Sequence, residues 1–173
     1  RIRQQRAWLQ QRLAKAFPET GSLAEQQLRQ LANDYRINGD LRKLFWQQKL
    51  LRRVDEVPVA LVLAQAANES GWGTSRFVQQ ANNLFGHWTY QGHRGMVPLQ
   101  RDKDKTHRVR IFTTLRASVQ AYLKNLNTGS AYKYLRQLRA MRRDNNQPLI
   151  GEQLAAGLIQ YSERGEEYVE EIR

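Results

Sequence analysis

The segment between Pro58 and Gly73 has the pattern of a buried helix. Its residues Val59–Ala67 are apolar or small on nearly every side of a helix, and a helix of that kind lies in the middle of a domain. Pro58 suits the first helical turn, while Gly71 and Gly73 supply stop signals beyond the last apolar residue. The segment therefore predicts a mainly helical domain built around this helix.

Glu69 falls in the last turn of this predicted helix, close to Trp72. It is the only Asp or Glu between Glu56 and Asp102. Burial disfavours a carboxylate, and so does the negative end of the helix dipole, so both effects raise the pKa of this carboxyl. A raised pKa keeps a proton available near neutral pH, as a general acid requires. The alternative is a structural glutamate that pairs with a nearby arginine such as Arg76.

The composition limits the classes of protein that fit this chain. Its 173 residues suffice for one domain with a sizeable core. A formal net charge of +12 predicts attraction to polyanions, namely nucleic acid, an anionic membrane or an anionic wall polymer. The lack of cysteine excludes disulfides, Cys-ligated metals and thiol catalysis.

The sequence shows no recognisable membrane span, targeting segment or metal motif. No apolar run is long enough to cross a bilayer. The chain begins at Arg1 without Met, so we expect a mature fragment whose targeting segment is not part of it. The three histidines, His87, His93 and His107, lack helical ligand spacing. We therefore expect neither a metal nor a cofactor.

The N-terminal third of the chain has three helical patterns. Apolar residues recur at helical spacing over residues 2–16, from a cap at Ser22 to Tyr35, and from a cap at Asp40 to Leu51. Arg and Lys occupy the outer faces of these helices. Such faces are usually solvated, and docking to an anionic surface is the alternative.

Residues 81–88 combine amides, aromatic rings and glycine after a short helix that Thr74 is predicted to cap. Carbohydrate sites are often made of such parts, because amides bond to sugar hydroxyls and aromatic faces cover sugar C–H groups. The alternative is a tight loop in which the Asn side chains satisfy backbone groups. The candidate substrate-binding residues, including two from the preceding segment, are Asn68, Trp72, Asn82, Asn83, Phe85, Gly86 and Trp88.

In residues 96–112 the apolar residues recur at every second position, the spacing of a β-strand. Val97 and Leu99 alternate on one side of a polar tip, residues 101–106, and Val109 and Ile111 alternate on the other. This pattern predicts a β-hairpin. A single hairpin is not stable alone, so we expect it to pack against the helices and form one wall of a groove.

The remainder of the chain returns to helical spacing. The predicted helices run over 115–127 with a cap at Thr114, over 131–141, over 149–161 and through an acidic tail, residues 162–172. The basic face of the second of these helices is predicted to be solvated; it carries Arg136, Arg139, Arg142 and Arg143.

Two short motifs resemble a known family. Residues Ala66–Gly73, followed by Asn82–Gly86, look like the signature of the bacterial glucosaminidases, glycoside hydrolase family 73. The resemblance implies a lysozyme-like helical fold with a β-hairpin lobe, and cleavage of peptidoglycan. It covers roughly residues 55–172, which leaves residues 1–54 as an N-terminal helical extension packed on the core. This extension, rich in arginine, looks most like the Bax-type branch of the family.

Later segments of the chain extend the resemblance. Arg110-Ile111-Phe112, leading into a helix with Ser118 and Tyr122, resembles the family's segment after the hairpin. Tyr161, followed seven residues later by Tyr168, resembles its C-terminal tyrosine motif.

The resemblance implies a role for two residues. Glu69 matches the family's general acid, which would protonate the glycosidic oxygen. Tyr161 matches a tyrosine near the reaction centre that positions water or the N-acetyl group of the substrate. The implied activity is that of a glycoside hydrolase, an endo-β-N-acetylglucosaminidase, with no cofactor.

The second carboxylate of such a site is not evident in this sequence. The family often places it on the hairpin, and the matching place here, residues 99–101, holds no carboxylate. The nearest second-acid candidates are Asp102 and Asp104, which belong to the polar tip. Without a second acid, two routes remain: attack by the substrate's own N-acetyl group, or a lytic transglycosylase reaction with one acid.

Two further classes of function compete with this prediction. A non-hydrolytic peptidoglycan-binding module would keep the groove without a complete catalytic set. A nucleic-acid-binding protein would explain the charge, but the arginines are spread over several helices and no helix-turn-helix or RNP pattern occurs. We therefore expect a monomer that binds glycan strands of peptidoglycan and anionic envelope surfaces, but no nucleic acid, in the periplasm or cell envelope.

Overall fold

Helices make up most of this computed structural model, which describes residues 1–89, 95–97 and 108–173. The α-helices are α1 Ile2–Leu13, α2 Leu23–Asp34, α3 Leu44–Arg53, α4 Val59–Ser70, α5 Arg76–Ala81, α6 Leu115–Thr128, α7 Lys133–Asp144, α8 Gly151–Leu154 and α9 Glu166–Ile172. Three short strands, β1 Trp88–Thr89, β2 Gly95–Met96 and β3 Arg108–Arg110, form one antiparallel sheet in the order β1-β3-β2. The predicted fold class, mainly α with a small β lobe, is confirmed.

Several helices begin where their capping residues predict. The Ser22 hydroxyl accepts a hydrogen bond from the backbone N–H of Glu25, and the Thr114 hydroxyl accepts one from Ala117. Pro58 directly precedes α4. In each case the side chain or ring suits a helix start, where backbone N–H groups lack helical partners.

Two predicted caps are wrong. Asp40 Oδ1 accepts a hydrogen bond from the backbone N–H of Arg42, so it stabilises a turn, and α3 begins only at Leu44. The Thr74 hydroxyl donates to the carbonyl of Gly71, while the neighbouring Ser75 caps α5.

The predicted helix over 149–161 is broken. It consists of the single turn α8 and a 3₁₀ helix, Ala155–Leu158. Gly157 lies so close to α7 that an added Cβ would stand 2.3 Å from Leu135 Cα. Glycine favours this close approach and disfavours a regular helix.

The predicted hairpin is present, but its strands are shorter than the alternation suggests. Gly95 pairs with Arg110 and Met96 with Val109, whereas Val97 and Ile111 lie outside the strands and are exposed. The additional strand β1 pairs with the other edge of β3. Leu99 and the tip at 101–106 lie outside the described residues.

Two hydrophobic clusters divide the core at residues 55–56. The cluster within residues 9–54 includes Leu9, Leu28, Leu31, Leu50 and Val54. The cluster within residues 57–172 includes Leu61, Tyr122, Leu126, Leu158 and Tyr168. The division into an extension, residues 1–54, and a catalytic unit, residues 55–173, stays a prediction with which these clusters agree.

An ion cluster lies between these two cores. Asp55, which is 2% exposed, pairs with Arg143 at 2.9 Å, Arg6 at 3.4 Å and Arg139 at 3.6 Å. We call these four residues the Asp55 cluster. Because Arg6 belongs to α1 and the other two arginines belong to α7, the cluster joins the N-terminal helices to the second core.

The prediction that the basic face of α7 is solvated is wrong for two of its residues. Arg136 and Arg139 are buried. Arg139 donates to the carbonyl oxygens of Arg52, Asp55 and Glu56 and to Asn127 Oδ1, and Arg136 donates to the carbonyls of Leu126 and Gly129. These carbonyl acceptors offset the cost of burying the guanidinium groups.

Candidate active site

Glu69 lies in the last turn of α4, where the chain then turns sharply. Gly71, Trp72 and Gly73 all have positive φ angles, of 54°, 56° and 79°. The Ser70 hydroxyl accepts a hydrogen bond from the backbone N–H of Gly73 at 2.8 Å and holds the turn. A non-glycine residue in this backbone region carries strain of about 1 kcal/mol or more. Trp72 bears that strain, and its side chain is 86% exposed.

The Glu69 carboxyl is half-buried, and its pKa is raised. Burial is the largest cause, because it disfavours the charged form. A hydrogen bond from Tyr168 and the charge of Arg164 oppose the rise, and the charge of Glu171 adds to it. Arg164 and Glu171 form an ion pair with each other on the exposed side of α9. Glu69 is therefore suited to hold a proton at a higher pH than an ordinary glutamate.

Three buried side chains form a hydrogen-bonded chain that ends on Glu69. The Tyr168 hydroxyl donates to Glu69 Oε1 at 2.7 Å and accepts from Gln65 Nε2 at 2.8 Å. Gln65 Oε1 in turn accepts from the Tyr122 hydroxyl. We call Tyr122, Gln65 and Tyr168 the tyrosine–glutamine chain. Gln65 lies one turn before Glu69 on the same face of α4, so the helix presents both residues to α6 and α9.

Tyr161 lies beside this chain, but its hydroxyl bonds elsewhere. Its ring stacks on that of Tyr168, with 5.5 Å between centroids, and its hydroxyl donates to the Phe85 carbonyl at 3.4 Å. Burial raises its pKa, so it stays a neutral hydroxyl. Tyr168 is thus the tyrosine that contacts Glu69. The sequence marked Tyr168 only as part of a motif, and its separation of 99 residues from Glu69 hid the contact.

The Asn residues of the predicted sugar-binding loop hold the backbone together. Asn83, which is 2% exposed, donates to the carbonyls of His87 and Arg110 and accepts from the His87 N–H. Asn82 donates to the carbonyl of Phe112. These bonds join the loop to β3 and to the residues after it. The Asn side chains thus satisfy backbone groups, which is the alternative to sugar binding that the sequence left open. A contact of either amide with sugar stays a prediction.

The other predicted binding residues divide into buried and exposed positions. Phe85 is buried and stacks on Tyr122, with 3.9 Å between ring centroids, so it supports the tyrosine–glutamine chain. Gly86 has a φ of 63° and turns the chain toward β1, where Trp88 is exposed. Asn68 is half-buried in the last turn of α4. Trp72 and Trp88 therefore both expose a large part of their indole rings.

The described ranges contain no group of three His, Cys, Asp or Glu that could hold a metal ion. Burial, helped by the charge of Arg110, lowers the pKa of His87 to about 4. His87 is therefore neutral at neutral pH. No helix in the described part of the chain is both long and apolar enough to cross a membrane. His93, His107, Asp102 and Asp104 lie outside the described residues.

Among the described residues, a mainly helical domain places the half-buried carboxyl of Glu69 against the buried hydroxyl of Tyr168. The model of the glucosaminidase family, described as mannosyl-glycoprotein endo-beta-N-acetylglucosaminidase, matches residues 46–172. This chain belongs to the glucosaminidase family, glycoside hydrolase family 73.

Protein bax of Escherichia coli K12 is similar to this chain, and so places it in the Bax-type branch. The two sequences are 35% identical over 170 residues, which cover 96% of this chain and 59% of the relative. The chain thus spans less than two thirds of that protein's length. No solved structure matches it.

Proposed function

We propose that this chain cleaves the glycan strand of peptidoglycan as an endo-β-N-acetylglucosaminidase in the cell envelope, with Glu69 as general acid. Family membership supports the reaction class. The observation that carries the role of Glu69 is its raised pKa together with its hydrogen bond from Tyr168. The positive net charge suits an anionic wall.

The direction of the tyrosine–glutamine chain supports a separate proposed role for each oxygen of Glu69. The single hydroxyl proton of Tyr168 goes to Oε1, because Tyr168 is itself the acceptor for Gln65. Oε1 then acts as the carbonyl oxygen of the protonated acid, and Oε2 carries the transferable proton. As the bond between the anomeric carbon and the glycosidic oxygen breaks, Glu69 gives that proton to the leaving oxygen.

The anomeric carbon needs an electron pair when the glycosidic bond breaks. The N-acetyl carbonyl oxygen of the same sugar supplies it in our proposal and forms a cyclic intermediate. Water then opens this intermediate and returns its proton to Glu69, which restores the acid. Tyr161 stays a candidate for orienting the N-acetyl group or the water, since its ring lies against Tyr168.

Two exposed indoles are proposed to hold sugar rings beside the acid. Trp72 follows Glu69 by three residues and is kept exposed in a strained turn, and strain of this kind concentrates at functional sites. Trp88 starts β1 at the edge of the sheet lobe. The face of an indole is electron-rich and suits the C–H face of a sugar.

Digestion of purified peptidoglycan by the parent and by Glu69→Gln tests the proposal. We expect the parent to release reducing-end N-acetylglucosamine, identified by mass. The variant should lose at least about a hundredfold of this activity, the scale of general acid removal. Glu152→Gln is the matched control, because Glu152 is an exposed residue of α8, and it should keep full activity.

Three other outcomes would revise the assignment. Anhydro-muramyl products would identify a lytic transglycosylase. Retention on peptidoglycan without cleavage by the parent would identify a binding module, which the lack of a carboxylate at residues 99–101 favours as the second candidate. Equal cleavage by the parent and Glu69→Gln would exclude Glu69 as the acid.

A further inference from the structure

A groove between α1 and α2 lies outside the segment that matches the family. Its volume is about 400 Å³, within the range of small-ligand sites. The family match begins only at residue 46. The polar and aromatic lining, which we call the glutamine groove, consists of Gln4, Gln5, Trp8, Gln27, Gln30 and Asp34.

Two of the four glutamines of the groove make side-chain hydrogen bonds. Gln5 Oε1 accepts a hydrogen bond from the Tyr35 hydroxyl at 3.0 Å, which directs its N–H₂ group away from Tyr35. Gln30 Nε2 donates to Asp34 Oδ1 at 3.0 Å, which leaves the carbonyl oxygen of Gln30 as an acceptor. The groove therefore carries both an oriented donor and an oriented acceptor, and oriented groups lose less entropy on binding.

The other two glutamines are available for a ligand. Gln4 and Gln27 are exposed, one on α1 and one on α2. Neither side chain has a hydrogen-bond partner within the described ranges. An amide offers two donors and one carbonyl acceptor, which matches the hydroxyl and acetamido groups of an amino sugar.

Trp8 supplies the aromatic surface of the groove. Its indole is partly buried and packs on the N-terminal hydrophobic cluster, and it also lines the groove. A ring fixed in this way presents an apolar face with little entropy to lose on binding. Leu31 lines the groove next to it and is nearly fully buried.

The charge of the groove differs from that of the whole protein. The chain carries a net charge of +12, but among the described residues no Lys or Arg lines the groove, and Asp34 is the one charged residue that does. A polyanion would bind the arginine-rich faces instead. The groove suits a neutral ligand that is rich in hydroxyl and amide groups.

We propose that the glutamine groove is a second, non-catalytic binding site for an N-acetylglucosamine residue of the glycan strand, the sugar of that strand that carries no carboxyl group. This inference rests on the proposed function in taking the substrate polymer as the ligand. A second site on the same polymer raises retention on long strands through effective concentration, but adds little for a fragment that fills only the catalytic site.

The test follows the indole N–H signal of Trp8 by NMR in the full chain carrying Glu69→Gln, which prevents turnover. Trp8→Phe assigns the signal, and the probe is the tetramer of N-acetylglucosamine. We expect a saturable shift of the Trp8 signal. The double variant Q4A/Q27A should weaken binding at this signal about tenfold, since each hydrogen bond changes affinity several-fold.

The matched control is Q48A/Q120A, which removes two exposed helical glutamines outside the groove. It should leave the Trp8 titration unchanged. An unmoved Trp8 signal, an equal shift in Q4A/Q27A, or a shift with a polyphosphate but not with the tetramer would overturn the proposal.

Cleavage of peptidoglycan by the parent is measured separately. If the parent cleaves but Trp8 does not respond, the groove proposal fails and the proposed function stands. If Trp8 responds but the parent does not cleave, the groove proposal stands and the proposed function fails.

Discussion

Asp55 is buried and Glu69 is half-buried, and the partners of these two carboxyls are of opposite kinds. Asp55 is surrounded by arginines, the nearest of them Arg143 at 2.9 Å. Glu69 instead accepts its hydrogen bond from the neutral hydroxyl of Tyr168. Cations offset the cost of burying a carboxylate, whereas a hydroxyl offsets only part of it, and the pKa of Glu69 remains raised.

The contrast shows that burial alone does not define a catalytic acid. Asp55 lies between the two hydrophobic cores and joins α1 to α7, so its surroundings favour stability. Glu69 lies at the end of α4 beside a strained, exposed turn, so its surroundings favour proton transfer. Variants at each position should therefore change different measured quantities.

Asp55→Asn should have the largest effect of these variants, and on stability. It leaves Arg139, which is 1% exposed, without its carboxylate. Breaking a buried ion pair costs about 3–5 kcal/mol. Urea unfolding followed by circular dichroism measures the loss. The control, Glu170→Gln, removes an exposed pair with Arg173 and should cost at most about 1 kcal/mol. Equal losses in the two variants would show that the Asp55 cluster does not join the cores.

Tyr168→Phe should lower activity about tenfold by removing one positioning hydrogen bond, and it should also change the pH profile. The Tyr168 hydrogen bond lowers the pKa of Glu69, so its removal raises that pKa further. The alkaline limb of the kcat/KM profile reports loss of the Glu69 proton and should therefore move to higher pH.

Tyr122→Phe is the matched control for this variant. It removes the outer bond of the tyrosine–glutamine chain, to Gln65, and leaves the contact between Tyr168 and Glu69. Its alkaline limb should stay in place. A limb that moves to lower pH in Tyr168→Phe, or equally in both variants, would contradict the assigned direction of the chain.

Glu69→Gln should show a smaller, pH-dependent gain in stability. The folded-state pKa of Glu69 lies above its ordinary value of 4.5. The contribution of Glu69 to the free energy of unfolding is thus favourable below pH 4.5 and is lost as pH rises through the folded-state pKa. Glutamine has no such dependence, so the variant should match the parent near pH 4 and exceed its Tm by about 2 °C at pH 7. A Tm difference that shrinks with rising pH would contradict the raised pKa.

Asp102→Asn and Asp104→Asn should have the smallest effects. Neither residue aligns with the hairpin position at 99–101 that the family resemblance points to, so activity on peptidoglycan should stay within about threefold of the parent. A loss of more than about a hundredfold, the scale of an essential acid or base, would show that one of them is the second carboxylate.

The sequence predicted those features that depend on local spacing. The apolar period and the glycines placed Glu69 in the last turn of α4, and Ser22 and Thr114 marked helix starts through their own hydroxyls. The strands of two or three residues are too short for alternation to set their limits. Only the presence of the β lobe could be predicted, not its third strand.

The contacts that define the site could not be predicted from spacing. Tyr168 reaches Glu69 across 99 residues, and only the packing of α9 against α4 brings them together. Arg139 is buried because backbone carbonyls accept its hydrogen bonds. Every residue has such a carbonyl, so the sequence does not indicate which of them will be acceptors. The pattern of charges along α7 therefore suggested a solvated face.

The pKa of Glu69 itself is the most direct measurement. The carboxyl ¹³C signal of Glu69, assigned by its absence in Glu69→Gln, can be titrated in the free protein and compared with the alkaline limb of kcat/KM. We predict that the two pKa values coincide and lie above 4.5, the ordinary value for glutamate. If Glu69 titrates at or below 4.5 and the alkaline limb of kcat/KM lies at a different pH, its role as the proton donor is contradicted.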